Sequence, residues 1–148
     1  MYYRRATIND IPCLIEFRKQ QLIDEGFPPI ANIDLELREY FLSGLSDGSF
    51  ISWLAVDKSS VVATSGLCFY QLPPSYSNPT GRVAYVTNMF TKKEYRRQGI
   101  SSHLLSLIMD EIRRRDYKVI RLHASIDGKA MYREAGFIDS DGYMTLVV

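Results

Sequence analysis

Between Tyr95 and Ser101 the chain reads YRRQGIS, with Lys92 and Lys93 just upstream and a helix-periodic run of apolar residues just downstream. A helix N-terminus presents about four N–H groups without intrahelical partners and a partial positive charge, so a loop wrapping into one can hold a phosphate with backbone alone. Gly99 suits such a loop, because a residue without Cβ takes conformations closed to bulkier ones and lets a ligand approach. Arg96 and Arg97 add local charge of the kind that guides a polyanion inward. The same residues equally suit a solvated charged loop before a serine-capped helix, and single-sequence physics leaves both readings open. Two common phosphate signatures are absent. There is no G-x-x-x-x-G-K-[ST], and GISSHL supplies one glycine where the dinucleotide fingerprint needs three.

Tyr132 is the second residue with chemical potential, a phenol able to act as a general acid. Beside Met131 and Phe137 on a short helix, such an aromatic is more often core packing than an acid. A base that accepts a proton from an attacking group is usually a carboxylate, and Asp24, Glu25, Asp34 and Glu39 qualify by default, although surface carboxylates mostly do nothing of the sort. His103 and His123 read as structural or surface residues. Cys13 and Cys68 form no C-x-x-C pair, and with so few ligands no metal site is expected. They read as buried thiols of a reducing compartment.

These residues need elements to position them. YRRAT (3–7) reads as a first strand. NDIPCLIEFRKQQLIDEG (9–26) reads as a helix capped by Asn9 or Asp10, with Pro12 tolerated in its first turn and Gly26 as the stop. After GFPPIANI, Asp34 starts a second helix with Leu37, Tyr40, Phe41 and Leu45 at helical spacing. SFISWLAVDK and VVATSGLCFYQL are strand-like, joined by a hairpin turn at Asp57-Lys58-Ser59-Ser60. PPSYSNPTG (73–81) is loop, and RVAYVTNMFT (82–91) a further strand. In SSHLLSLIMDEIRRRD, Leu104, Leu105, Ile108 and Ile112 share one helix face, and Arg113, Arg114 and Arg115 complement the dipole in its last turn. KVIRLHA (118–124) is a strand, GKAMYREAG (128–136) a short helix, and YMTLVV (143–148) a final strand. The order β-α-α-β-β-β-α-β-α-β describes an antiparallel meander entering a β-α-β unit, a mixed α/β sheet covered by helices.

The whole chain narrows the function classes. Its 148 residues suit one domain, expected over 1–148. A formal net charge of +1 gives no global attraction to nucleic acid or an anionic membrane. No apolar run approaches the ~20 residues of a membrane span, so a soluble cytoplasmic protein is expected. YMTLVV could pair between subunits or complete the sheet, which leaves a homodimer open.

TNMFTKKEYRRQGISSHLLSLIM strongly resembles the acetyl-CoA-binding motif of the GCN5-related N-acetyltransferase superfamily, a strand followed by [Q/R]-x-x-G-x-[G/A] and a helix. Here the pattern is Arg96-Arg97-Gln98-Gly99-Ile100-Ser101. ASIDGKAMYREAGF (124–137) resembles the second signature, and RRATINDIPCLIEF the opening strand and helix. The resemblance implies the family fold, a mostly antiparallel twisted sheet with helices on both faces. It also implies transfer of an acetyl group from acetyl-CoA to a primary amine by direct attack in a ternary complex. Backbone groups of Met89, Phe90 and Thr91 would then pair with the pantetheine arm, one N–H near Met89 or Phe90 would polarise the thioester carbonyl, and the amides from Arg97 through Ser102 would bind the pyrophosphate. Tyr132 stands at the general-acid position, and Ser125 where many members have a cofactor-contacting asparagine. Ser101 replaces the last Gly/Ala of the motif, Lys93 a frequent proline and Gly128 a frequent alanine. LIDEGFPPIANIDLE (22–36) would form much of the acceptor wall, with Tyr70 and Tyr76 beside a loop that could contribute. A non-catalytic acyl-CoA-binding module of the same fold is the alternative, and a nucleic-acid-binding domain using KKEYRR and RRR a weaker one.

Overall fold

The structure, a computed structural model, describes residues 1–140 and 142–148. Its sheet is ordered β1-β3-β4-β5-β6, from β1 (Tyr2–Arg5), β3 (Trp53–Asp57), β4 (Ser60–Gln71), β5 (Arg82–Thr91) and β6 (Val119–Leu122), with the two-residue β2 (Phe50–Ile51) also pairing with β4. Every pair is antiparallel except β5 with β6. SFISWLAVDK is thus two strands rather than one. Ser52 interrupts it, and its carbonyl instead accepts from Ala6 N–H (2.9 Å). The β3–β4 hairpin closes through Lys58 and Ser59, both at positive φ (46° and 68°), which matches the right-handed twist of the strands it joins.

Among the described residues four α-helices cover the sheet: α1 (Ile11–Asp24), α2 (Asp34–Asp47), α3 (Ile100–Arg114) and α4 (Lys129–Glu134). Strand alternation decides which helix meets which face. Phe50 and Leu54 face α1 and α2, where they pack with Ile11, Leu14 and Phe41. Their neighbours Ile51 and Ala55 face the other way, toward α3. The first helical stretch is capped differently from expectation. A 3-10 turn (Ile8–Asp10) precedes α1, Thr7 Oγ1 accepts from Asn9 N–H, and the Asp10 carboxylate accepts from Thr7 N–H (2.8 Å). Arg4 then locks Asp10 with two hydrogen bonds, of 2.8 and 2.9 Å.

The expected final strand over 143–148 does not form. Strand-type composition becomes a strand only against a partner ladder and a face to bury. Here Tyr143 attaches by its hydroxyl, which accepts from Arg121 (2.7 Å), while Met144, Leu146, Val147 and Val148 remain 86–113% exposed. The observed order among the described residues therefore ends at α4. No helix among them is long and apolar enough to cross a membrane.

Candidate active site

The site begins where two parallel strands part. β6 pairs with β5 only from Val83 to Val86, whereas β4 follows β5 as far as Thr91. The stretch 87–91 of β5 consequently has one open edge. Within it the register slips: Gly66 faces Thr87 but Thr64 faces Phe90, so β5 carries one extra residue. Asn88 sits in that bulge at φ 53°, its carbonyl accepting from Thr64 Oγ1 (3.0 Å). Such bulges re-aim the residues that follow them. Beyond it, Lys92 N–H donates to Val62 O of β4 (2.9 Å), and strand alternation turns the backbone groups of Thr91 and Met89 to the open edge. Arg96 Nε occupies Thr91 O (2.9 Å), leaving the N–H of Thr91 and the backbone of Met89 for a ligand.

At the end of this edge the chain curls into α3. Arg97 (φ 64°) and Gly99 (φ 80°) are both left-handed, and His103 N–H makes the first helical bond back to Gly99 O (3.0 Å). The amides of Ile100, Ser101 and Ser102 thus have no intrahelical partner. A Cβ at Gly99 would meet nothing within 4 Å, so this glycine is required by its φ rather than by crowding. Ser101 Oγ and Thr91 Oγ1 share a 2.9 Å hydrogen bond that fastens the helix start to the strand.

Open edge, loop and α4 enclose a cleft of ≈ 610 Å³. All the cofactor and catalytic residues expected from sequence line it except Gln98, whose side chain turns away to Glu94 O (3.2 Å). Two of them have other commitments. Arg96 pairs with Asp24 of α1 (2.8 Å), which neutralises its charge, and Ser125 Oγ accepts from Gly128 N–H (3.1 Å), which secures the turn into α4.

Tyr132, 7% exposed, packs its ring edge-on against Phe137 at 5.9 Å. Burial, with a smaller push from the negative charge of Glu25, raises its phenol to about 12, so it is protonated at neutral pH. Its hydroxyl has no protein partner among the described residues. Tyr132 also borders a second cavity of ≈ 240 Å³ that shares Gln21, Glu25, Met89 and Ser125 with the cleft.

Of the default carboxylates, Asp24 is held by Arg96 and Asp34 by Lys19 (2.8 Å), and Glu39 reaches neither cavity. Glu25 stands at their junction, accepting from Gln21 Nε2 (3.2 Å). The segment 22–36 contributes only Leu22, Asp24, Glu25 and Phe27 to the walls. Tyr70 instead accepts from Arg121 (3.2 Å) and Tyr76 is fully exposed. His123, read from sequence as structural, lines the second cavity, while His103 stacks on Tyr3 at 4.1 Å. Arg18, Gln21, Thr87 and Asp127, none singled out from sequence, also line the site, together with Tyr85. The first two were accessible in principle: with Glu25 they recur at i, i+3 and i+7 on one face of α1.

Comparison with known proteins follows the same lines. No curated protein matches the chain. A predicted acetyltransferase from Clostridium acetobutylicum, solved with acetyl-CoA, is 38% identical with a TM-score of 0.94, the match covering 99% of this chain and 95% of that one. A GCN5-related N-acetyltransferase from Ralstonia eutropha (23% identity, TM-score 0.91, 99% and 97% covered) has the same fold, as does an aminoglycoside 6'-N-acetyltransferase from Acinetobacter haemolyticus (14%, 0.77, 100% and 98%). The family model for acetyltransferases of the GNAT type matches residues 16–137, and with that span the chain belongs to the acetyltransferase (GNAT) family.

Proposed function

We propose that the protein is an acetyl-CoA-dependent N-acetyltransferase that passes the acetyl group directly to a primary amine bound in the same complex. The observation that carries this reading is the meeting of two cavities, one lined by free amides and an open strand edge, the other by polar side chains, at Tyr132, Met89 and Glu25. The donor set fits the cosubstrate. Amides at the start of α3 suit a pyrophosphate, and the edge of β5 suits the amide-bearing pantetheine arm as a neighbouring strand would.

The thioester, when bound, supplies an acetyl carbon open to attack by an amine. The chain's own residues then have separable roles. Met89 N–H, turned to the open edge, would donate to the acetyl carbonyl oxygen and stabilise charge gathering there. Tyr132 would give its proton to the departing sulfur. Glu25, alone of the four carboxylates in reaching both cavities without a cationic partner, would accept a proton from the incoming ammonium directly or through water. In net terms a carbon–nitrogen bond replaces a carbon–sulfur bond; the incoming ammonium gives up two protons, of which one passes through Glu25 to solvent and the other is matched by the proton that reaches sulfur. Holding both reactants in attack geometry makes a covalent enzyme intermediate unnecessary.

The test is a panel of primary amines, from small molecules to peptides, incubated with acetyl-CoA while free thiol is followed. Thiol release that depends on one class of amine is the expected result. Tight CoA binding with no turnover anywhere in the panel would overturn catalysis in favour of a binding module, and failure to bind CoA would remove both.

A further inference from the structure

Resting on the acetyltransferase reading above, we infer that the second cavity selects a small primary amine carrying an oxyanion, with Arg18 as the residue that recognises the anion. The cavity is bipolar. Arg18 donates to Gln21 Oε1 (3.2 Å) and Gln21 Nε2 donates to Glu25 Oε1 (3.2 Å), a chain of hydrogen bonds along one face of α1 that fixes a cation at one end and a carboxylate at the other. Seven helical positions separate the two, about 10 Å along the axis. Among the described residues neither has an ion-pair partner, although nine other pairs form in the protein. An unneutralised guanidinium inside a cavity is a fork of donors matched to a carboxylate or phosphate.

The polarity has a direction. Glu25 borders both cavities and lies on the Tyr132 side, where the acetyl group must be; Arg18 borders only the second cavity. An acceptor therefore enters with its ammonium toward Glu25 and its anion toward Arg18. Tyr85 and Thr87 lie on the β5 wall and His123 also lines the cavity, further polar groups within reach of an acceptor. The volume, ≈ 240 Å³, is below the 300–1,000 Å³ of drug-sized sites, so the enclosed part of the acceptor is of amino-acid size.

Acceptors in three matched sets separate the possibilities: straight-chain amino carboxylic acids from glycine to 6-aminohexanoate, aminoalkyl phosphates of similar length, and the methyl esters or amides of the same acids. Thiol release gives kcat and KM, and calorimetry gives acceptor affinity for the CoA-saturated protein. The expected result is a preference of roughly 10- to 100-fold in kcat/KM for one anionic set over its neutral counterparts, carried by KM, with the carboxylate or phosphate arm naming the anion. Arg18→Gln should collapse that ratio toward one and weaken anionic acceptor binding equally by calorimetry, and Arg18→Lys should restore part of it. CoA affinity of each variant reports intact folding. Equal use of anionic and neutral amines, or a preference untouched by Arg18→Gln, overturns the assignment while leaving acetyl transfer standing. Absence of turnover on every amine, with CoA bound, overturns the acetyltransferase reading and this inference with it.

Discussion

Tyr132 is where burial, position and chemistry converge, and the environment around it makes separable demands. A phenol pushed up to about 12 is fully protonated at neutral pH, as a proton donor must be, although burial raises Tyr40 outside the site just as far, so the role is tested by kinetics. Tyr132→Phe should therefore lower kcat by roughly 100-fold or more while CoA affinity, measured by calorimetry, stays nearly constant; unchanged turnover would remove the phenol from the mechanism. Gly128 makes the placement testable without touching the hydroxyl. A Cβ there would sit 3.0 Å from Tyr132 Cε2 and 3.1 Å from Ser125 Oγ, so the ring or the turn must yield, and Gly128→Ala should reduce turnover through a displaced Tyr132. Gly99 and Arg97 test the anion cradle in the same spirit. With Gly99 at φ 80°, Gly99→Glu adds about 1–2 kcal/mol of backbone strain and a negative charge where the proposed pyrophosphate would approach, whereas Arg97→Gln removes one exposed charge. The glycine change should weaken CoA binding more, and the reverse order in two dissociation constants would make the stretch an electrostatic patch. Tyr132 and the residues around Gly99 were legible from their motifs as candidates, and they line one cleft. Arg18 and Glu25 were not distinguishable from other surface charges, because what marks them is the absence of a partner, and pairing is a property of the fold.

At the scale of elements, the site depends on a defect in β5 that its sequence hides. RVAYVTNMFT alternates well enough to read as an ordinary strand, and its boundaries are those observed. Nothing in the string says that Asn88 takes a positive φ, or that β6 lets go of β5 after Val86. The bulge is held from the facing strand. A Cβ on Gly66 would meet Asn88 Cβ and Thr87 O at 2.9 Å and Phe50 Cε2 at 3.0 Å, so only glycine leaves room for the extra residue. Gly66→Ala should destabilise the protein by about 1–3 kcal/mol, a fall of about 2–10 °C in Tm for a chain of this size, and should lower turnover in excess of the loss in folded protein because Met89 is re-aimed. A variant with wild-type Tm and kcat would show that the crowding relaxes freely. The missing strand at 143–148 is the converse case. Its β-branched and aromatic residues signalled strand correctly as a propensity, but a strand needs a ladder, and no local property of YMTLVV reports whether one is offered.

On the scale of the whole molecule, a net charge of +1 conceals how the charges are arranged. Three carboxylates with arginine partners tie together parts of the chain that are distant in sequence or in the fold. Asp10 joins the first turn of the helical layer to β1 through Arg4, Asp24 joins α1 to the loop before α3 through Arg96, and Glu111 joins α3 to β1 through Arg5, with Arg114 and Arg115 also on its carboxylate. Hydrogen bonds from Arg4 hold Asp10 below the usual carboxylate range, and the bond from Gln20 followed by that from Arg96 does the same for Asp24. Burial pushes Glu111 up, but its three arginines outweigh that and leave it lowered. The sign of the linkage follows. When a carboxylate is depressed in the folded state, the unfolded chain binds its proton first as pH falls, so the stability is fully present above the unfolded values near 4 and is lost on descent through the folded ones. Melting temperature should therefore be flat from pH 7 to about 5 and fall steeply below about 4. Asp10→Asn combined with Glu111→Gln should lower stability at pH 7, each by about 1.5–3 kcal/mol for a lost charge-assisted hydrogen-bond set, and should make the acid limb shallower, since two of the three groups whose protonation drives it are gone. A double variant that melts lower at pH 7 yet keeps the wild-type slope between pH 5 and 3 would place the acid sensitivity in other carboxylates and reduce these pairs to local packing.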